Sequence, residues 1–248
     1  MKISIITVVF NNERTIEEAI QSVLSQTYNN IEYVIIDGGS TDNTVPIIKR
    51  YENKLGYFSS EPDKGLYEAM NKGISKCTGD IIAILNSDDL YQDTDVIASV
   101  MASFNNDPTL DLVYGDLVYV KAEDTSKIVR KWKSQPYYDS FFDEGHVPPH
   151  PSLFVRRKVY NEAGLFDTKY RLAADYDFML RIFKKFSYRS LYLSKVMVKM
   201  RLGGETNKSF TNIIKGNREI INSWKENDLK MPWYLMPTRV YRRIIQFL

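Results

Sequence analysis

Acidic residues in this sequence fall where apolar runs stop. Five apolar residues in succession, Ile81 to Leu85, run straight into Asn86-Ser87-Asp88-Asp89. A run apolar at every position reads as a strand buried on both faces, as in a parallel sheet. Two adjacent carboxylates on the tight loop beyond it are hard oxygen ligands. They suit Mg²⁺ or Mn²⁺, which keep several waters and grip a substrate phosphate through one or two carboxylates. The same pair also reads as a solvated turn or as a cap for the next helix. The other acids weigh against that: Asp37 closes the run Ile31 to Ile36, and Asp63 follows the run Leu55 to Ser60. Ligands of an open α/β sheet collect outside the carboxyl ends of its strands. One cleft, too acidic to hold a phosphate without a cation, is the economical explanation.

The elements that position these acids are legible. Ile3 to Phe10 is a β-branched run, hence a buried strand, and Asn11-Asn12 ends it and can cap the next helix. Ile16, Ala19, Ile20, Val23 and Leu24 share one face of that amphipathic helix. After Asp37, Gly38-Gly39 permits positive φ or close ligand approach, and Thr41 or Asp42 can cap a short helix from Val45 to Tyr51. A helix from Tyr67 to Ser75 precedes the fourth strand. Strands alternating with helices at short spacing predict a doubly wound α/β sheet.

The chain has 248 residues, 44% hydrophobic and 26% charged, as expected of a globular α/β protein with a substantial core. A net charge of +2 gives no nucleic-acid signature. The single cysteine, Cys77, excludes intramolecular disulfides and Cys-rich metal sites and points to a reducing compartment. The start is too short an apolar run for a signal peptide, and nothing approaches the ~18 apolar residues of a membrane span. The expectation is a cytoplasmic protein, soluble or peripheral on the inner face of the plasma membrane. Seventeen tyrosines fit polar ligands such as sugars.

Six segments in order carry a resemblance. They are Ile-Ile-Thr-Val-Val-Phe-Asn-Asn at 5–12, Ala-Ile-Gln-Ser-Val-Leu-Ser-Gln-Thr-Tyr at 19–28, Asp-Gly-Gly-Ser-Thr-Asp at 37–42, Glu-Pro-Asp-Lys-Gly at 61–65, Ala-Met-Asn-Lys-Gly at 69–73 and Asn-Ser-Asp-Asp at 86–89. Together they resemble the family 2 glycosyltransferases of GT-A fold, in the bacterial polysaccharide (colanic-acid-type) branch, and the resemblance continues to about residue 205. It implies a Rossmann-like mixed, mostly parallel sheet with flanking helices. It also implies inverting transfer from a nucleotide-diphosphate sugar, a UDP-sugar first among the candidates, with Mg²⁺ or Mn²⁺ on the diphosphate. By the resemblance, the first strand end (Val8, Phe10) and Asp37 contact the nucleoside, with Phe10 beside the base. Asp63 is a further nucleoside contact, and Lys64 is either a phosphate partner or a solvated loop lysine. Asp88 matches the metal-binding carboxylate, with Asp89 in support. Two positions depart from the pattern: Gly38 where many relatives carry a second acid, and Asn86 where they often carry the first Asp of an Asp-x-Asp motif.

The acceptor half begins with the apolar run Leu112 to Val120, in which Asp116 reads as a cleft residue or a turn carboxylate. Residues 121–135 predict a surface hairpin. The aromatic, Pro-interrupted stretch 135–150 predicts a mobile acceptor-side loop or a packed irregular segment. His150, in Pro-His-Pro-Ser, matches a family position near the acceptor; His146 is the weaker candidate. Inverting transfer needs a carboxylate to take the acceptor hydroxyl proton. Asp175 and Asp177 are about 200° apart on a helix, so both cannot face one cleft. Asp177 has Arg181 at i+4, a ready ion pair. Asp175 sits in the first turn, where the helix dipole favours its ionised form, and is the expected catalytic base. The family pattern here is an acid followed by Asp, and Ala174 replaces the first member. Arg201, before Leu202-Gly203-Gly204, resembles the lid over the donor and is either a cation for the diphosphate or a surface arginine.

The expected organisation is a glycosyltransferase domain over 1–208, divided into a nucleotide-sugar half (1–116) and an acceptor half (117–208), then a helical tail over 209–248. Residues 229–248 join Lys230, Arg239, Arg242 and Arg243 to Trp233, Tyr234, Leu235, Tyr241, Ile244, Ile245, Phe247 and Leu248, without an acid. That is an interfacial signature, pointing to a membrane surface, with packing on the domain or on a second copy as alternatives. The expected acceptor is a saccharide, lipid-linked by the resemblance, and no nucleic-acid partner is expected. A catalytically degenerate nucleotide-sugar-binding or assembly protein and a nucleotidyltransferase are the rival readings. The second lacks an early Gly-rich phosphate loop.

Overall fold

The apolar runs of the first half become the strands expected of them. β1 (Ile3–Val9), β2 (Ile31–Asp37), β3 (Tyr57–Ser60) and β4 (Ile81–Ile84) lie in the order β3-β2-β1-β4, all parallel. The computed structural model describes residues 1–203 and 210–245. Side chains alternate between the two faces of the sheet. Ile6, Val8, Val34, Ile36 and Ile84 enter one core, beneath α3 (Leu66–Lys76). Ile3, Ile5, Tyr33, Ile35 and Ile81 enter the other, beneath α1 (Ile16–Leu24) and α4 (Val96–Asn106). A Cβ at Gly73 would stand 2.6 Å from Ile6 Cγ2, so glycine there lets α3 lie tightly on β1.

The second half extends the same sheet. β8 (Leu153–Arg156) runs antiparallel between β4 and β6 (Leu112–Val120), and β9 (Ser190–Arg201) is parallel to β6. The short β5 (Leu90–Tyr91) pairs with β9, and β7 (Ile128–Trp132) returns along β6 as the expected hairpin. The result is a mixed, mostly parallel sheet. Chain order reverses beside β1, which puts a crevice at the carboxyl ends of β1 and β4. The expected division at 116/117 falls inside β6, so the two halves share one sheet.

Three helical segments, α2 (Thr44–Lys49), α5 (Arg157–Ala163) and α6 (Ala174–Met179), complete the domain, and α6 continues as π-helical turns over Leu180–Lys185. Tyr176, Met179, Leu180 and Phe183 are buried as the periodicity predicts, and Phe178 is buried too, stacked on Tyr160 at 4.8 Å. The tail forms α7 (Phe210–Glu226) and α8 (Leu235–Ile245). Trp224 is fully buried and donates its indole N–H to Tyr176 Oη at 2.8 Å, and Leu235 joins the same core. Residues 210–245 therefore pack on the acceptor half.

Two expectations change. Asn11 and Asn12 do not cap α1 through their side chains; the Asn12 carbonyl accepts from Thr15 and Ile16 N–H instead, because both side chains are used at the cleft. The stretch 135–150 is packed: Phe141 and Phe142 are buried, and Tyr137, Phe142 and Phe183 meet ring to ring at 5.3 to 6.4 Å. Aromatic side chains fill that core without needing a periodic element.

Candidate active site

The loop after β4 is held from three sides. Asn12 donates to Ser87 Oγ at 2.9 Å, and Thr15 Oγ1 donates to the Ser87 carbonyl at 2.9 Å. Arg201, only 4% exposed, donates to the Asp88 carbonyl at 2.7 Å, to the Ala122 carbonyl at 3.2 Å and to Glu18 Oε2 at 2.5 Å. Arg201 is thus neither a surface arginine nor an open cation; it ties the end of β9 to the backbone of Asp88. Residues 204–209, the rest of the expected lid, lie outside the described residues.

Asp88 is half-buried and Asp89 fully buried. Burial and the adjacent Asp88 charge push the Asp89 carboxyl well above the usual carboxylate range, while Asn86 and Arg201 pull the other way. Asn86 Nδ2 donates to Asp89 Oδ2 at 3.0 Å, but Asn86 Oδ1 and Asp89 Oδ1 are buried acceptors without a donor. Two orphaned oxygens beside Asp88 form an all-oxygen donor set, which fits a hard cation. No group of three or more His, Cys, Asp or Glu able to hold a metal occurs among the described residues. A Mg²⁺-type ion needs fewer, since substrate phosphates and water complete its shell. Asp88 is the half-buried carboxylate of this loop that could hold such an ion, while Asp89 is fully buried on Asn86.

The nucleoside side is corrected in two places. Asp37 is fully buried, and its carboxylate accepts from Gly39 N at 3.1 Å, Ser40 N at 2.9 Å, Ser40 Oγ at 2.5 Å and Ser60 Oγ at 2.6 Å. Its oxygens are used in folding the Gly-Gly-Ser loop, which in turn orders Asn11 through Ser40 and Thr41. Val8 is likewise a core residue. Phe10, by contrast, is 63% exposed at the end of β1. A Cβ at Gly38 would stand 2.7 Å from Asp63 Oδ2 and 3.5 Å from Phe10 Cδ2. Phe10, Gly38 and Asp63 therefore line one place, and a side chain at 38 would displace the Asp63 carboxylate. Lys64 is exposed on the same loop, with its backbone N–H on Glu68.

On the acceptor side, Asp177 is buried between Arg181 (3.2 Å) and Asn227 (2.9 Å). Asp175 is half-buried, and its Oδ1 accepts from Tyr67 Oη at 3.0 Å. Burial and the Asp175 charge raise the Tyr67 phenol well above its ordinary value, so it stays a donor. The backbone N–H groups of Arg171, Leu172 and Ala173 donate to the Glu219 carboxylate at 2.8 to 3.1 Å, so α7 sets the turn that presents Asp175. Asn71 clips the Phe166 backbone with two hydrogen bonds of 2.8 and 3.1 Å. The Phe166 ring lies against Tyr67 at 5.8 Å and His150 at 5.6 Å. Burial lowers the His150 pKa against the pull of Asp175, so the imidazole is neutral. Asp116 is elsewhere: mid-strand and buried, it accepts from Ser134 N and Tyr192 Oη. His146 faces Gln135 and Phe141.

Residues 4–187 match the profile of Glycosyl transferase family 2. The chain belongs to this family. Among curated relatives, a PGL/p-HBAD biosynthesis glycosyltransferase of Mycobacterium tuberculosis is 29% identical over 208 residues, covering 82% of this chain and 78% of that protein. An uncharacterized glycosyltransferase of the same species is 31% identical over 72% of this chain and 68% of its own. The solved structure of Staphylococcus aureus TarS 1–349 in complex with UDP matches at a TM-score of 0.65 and 20% identity, over 99% of this chain and 70% of that one. The mannosyltransferase PcManGT of Pyrobaculum calidifontis, in complex with GDP-Man and Mn²⁺, matches at 0.68 and 19%, over 98% of this chain and 74% of that one. The fold is GT-A and the protein is a glycosyltransferase, which removes the nucleotidyltransferase reading.

In this glycosyltransferase the residues not foreseen from the sequence are Tyr67, Glu219 and Glu18, each acting on a partner far along the chain. Tyr67 is a testable positioning residue. Tyr67→Phe keeps the buried ring and removes a charge-assisted bond worth about 1.5–3 kcal/mol. Turnover is expected to fall roughly ten- to a hundredfold, with KM for the donor unchanged. Unaltered kcat would restrict Tyr67 to packing.

Proposed function

We propose that this family 2 glycosyltransferase moves a hexosyl or N-acetylhexosaminyl group, with inversion, from a nucleotide-diphosphate sugar to a saccharide acceptor. We take the acceptor to be lipid-linked, and the product to be a cell-surface polysaccharide made at the cytoplasmic membrane face. The observation that carries the reading is the division of labour on α6. Asp177 is buried and paired, while Asp175 is oriented by Tyr67 at the half-buried edge. The acceptor oxygen attacks C1 of the donor sugar, the bond from C1 to the diphosphate breaks on the opposite face, and the acceptor proton passes to Asp175. With Oδ1 engaged by Tyr67, Oδ2 is the oxygen for that proton. Phe10 and Asp63 hold the nucleoside, and Lys64 reaches toward its phosphates. Asp88 would hold Mg²⁺ or Mn²⁺, which when bound supplies positive charge against the leaving diphosphate. Arg201 acts at one remove, by fixing Asp88. UDP in TarS and GDP-Man with Mn²⁺ in PcManGT support a nucleotide-sugar donor and a metal.

The test is thermal stabilisation by UDP, GDP, dTDP and CDP, each with and without Mn²⁺. One nucleotide is expected to raise the melting temperature strongly and only with metal. No shift with any nucleotide would remove the donor reading. A metal-dependent shift without sugar transfer to any acceptor would leave a degenerate nucleotide-sugar-binding protein.

A further inference from the structure

Helix α8 turns its apolar side outward. Pro237, Val240, Tyr241 and Ile245 stand at i, i+3, i+4 and i+8, one face of a helix. All four are exposed, Val240 at 59% and Tyr241 at 62%. Trp233, just before the helix, is 88% exposed. The opposite face holds the domain. Leu235 is in the core, the Arg239 guanidinium lies over the Tyr176 ring at 4.7 Å, and Arg242 Nε donates to the Glu144 carbonyl at 3.3 Å. The helix is thus inverted relative to one that merely covers a core.

We infer that this outward face of α8, with Trp233, is a docking surface for an anionic lipid bilayer, lying in the headgroup layer. Two observations choose lipid over protein. Exposed Trp and Tyr beside aliphatic residues suit the boundary between headgroups and acyl chains. Lys230 stands exposed just before α8 and residues 229–248 hold no acid, so the outward face carries nothing that opposes an anionic surface, while Arg239 and Arg242 are engaged with the domain. No helix among the described residues is long and apolar enough to cross a membrane, so attachment is by lying on it. The purpose of the surface rests on the lipid-linked-acceptor reading. α8 is mounted through Arg239 on Tyr176, the residue after Asp175, so the docking surface and the acceptor side share one support.

The full chain is sedimented with vesicles of phosphatidylcholine alone or mixed with phosphatidylglycerol, at low and high salt, as wild type, Trp233→Ala and Val240→Glu/Tyr241→Glu. The wild type is expected to bind the phosphatidylglycerol vesicles, less so at high salt. Each variant is expected to partition roughly tenfold less or worse. Melting temperature and nucleotide-dependent stabilisation, read on the same samples, are expected to be unchanged in the variants, because these side chains touch solvent. Absent wild-type binding, or variants that bind equally, overturns the proposal. So does a wild-type dimer that the double variant dissociates, since a second copy then covers the face. Lost vesicle binding with intact nucleotide binding removes docking alone; the converse removes the donor reading alone.

Discussion

Asp175→Asn is expected to slow sugar transfer by about 10²–10⁴-fold, the range for loss of a positioned general base, while nucleotide binding is retained. The substitution is nearly isosteric, and the amide oxygen can still accept from Tyr67 Oη, now at 3.0 Å on Oδ1. The turn that presents residue 175 is set by Glu219 on the backbone of residues 171–173, which the substitution leaves alone. What disappears is the ability to take a proton. Turnover should therefore collapse with KM for the donor little changed. Asp177→Asn is the control: it disturbs the contacts to Arg181 and Asn227 and should register as lost thermal stability. If the two variants exchanged phenotypes, the roles assigned along α6 would be wrong.

Asp88→Asn is expected to abolish the metal-dependent part of nucleotide binding. A ligand at 100 times its dissociation constant stabilises the fold by ~2.7 kcal/mol, and that increment should no longer depend on Mn²⁺ in the variant. The loop should survive, because its hold on position 88 is through the backbone: Arg201 donates to the carbonyl, and Ser87 is fixed by Asn12 and Thr15. The barrier to transfer should rise by a further several kcal/mol, the usual worth of a cation at a departing oxygen. Melting curves of wild type and variant, with nucleotide and with or without Mn²⁺, read the first effect; steady-state rates read the second. Retained Mn²⁺ dependence would move the metal away from Asp88.

Much of this was written locally. Short apolar runs rich in β-branched residues read as strands buried on both sides, and their order with the helices between them implies a parallel sheet. The carboxyl ends of those strands then had to share an edge, so Asp37, Asp63, Asp88 and Asp89 were legible as one group, and Phe10 joined it through the family resemblance. The i, i+4 spacing of Asp177 and Arg181 was enough to separate a structural acid from Asp175. The errors have a common cause. Asp37 and Asp116 sit at strand positions that look exposed by motif. Their side chains are consumed by Ser40, Ser60, Ser134 and Tyr192, whose approach depends on how the loops fold back.

Periodicity and composition, which are properties of neighbours along the chain, determined the elements and their order, and nominated Asp175 over Asp177 as the candidate base. Tertiary structure decided which carboxylates keep an oxygen for a ligand. It set Tyr67 on Asp175 across 108 positions and Arg201 on Glu18 across 183. It also let Asp63 take the space at Gly38 and turned the apolar face of α8 outward. A hydrogen bond needs its partners within about 3 Å, and nothing in a linear sequence encodes which distant side chain will arrive there; packing of the two cores does.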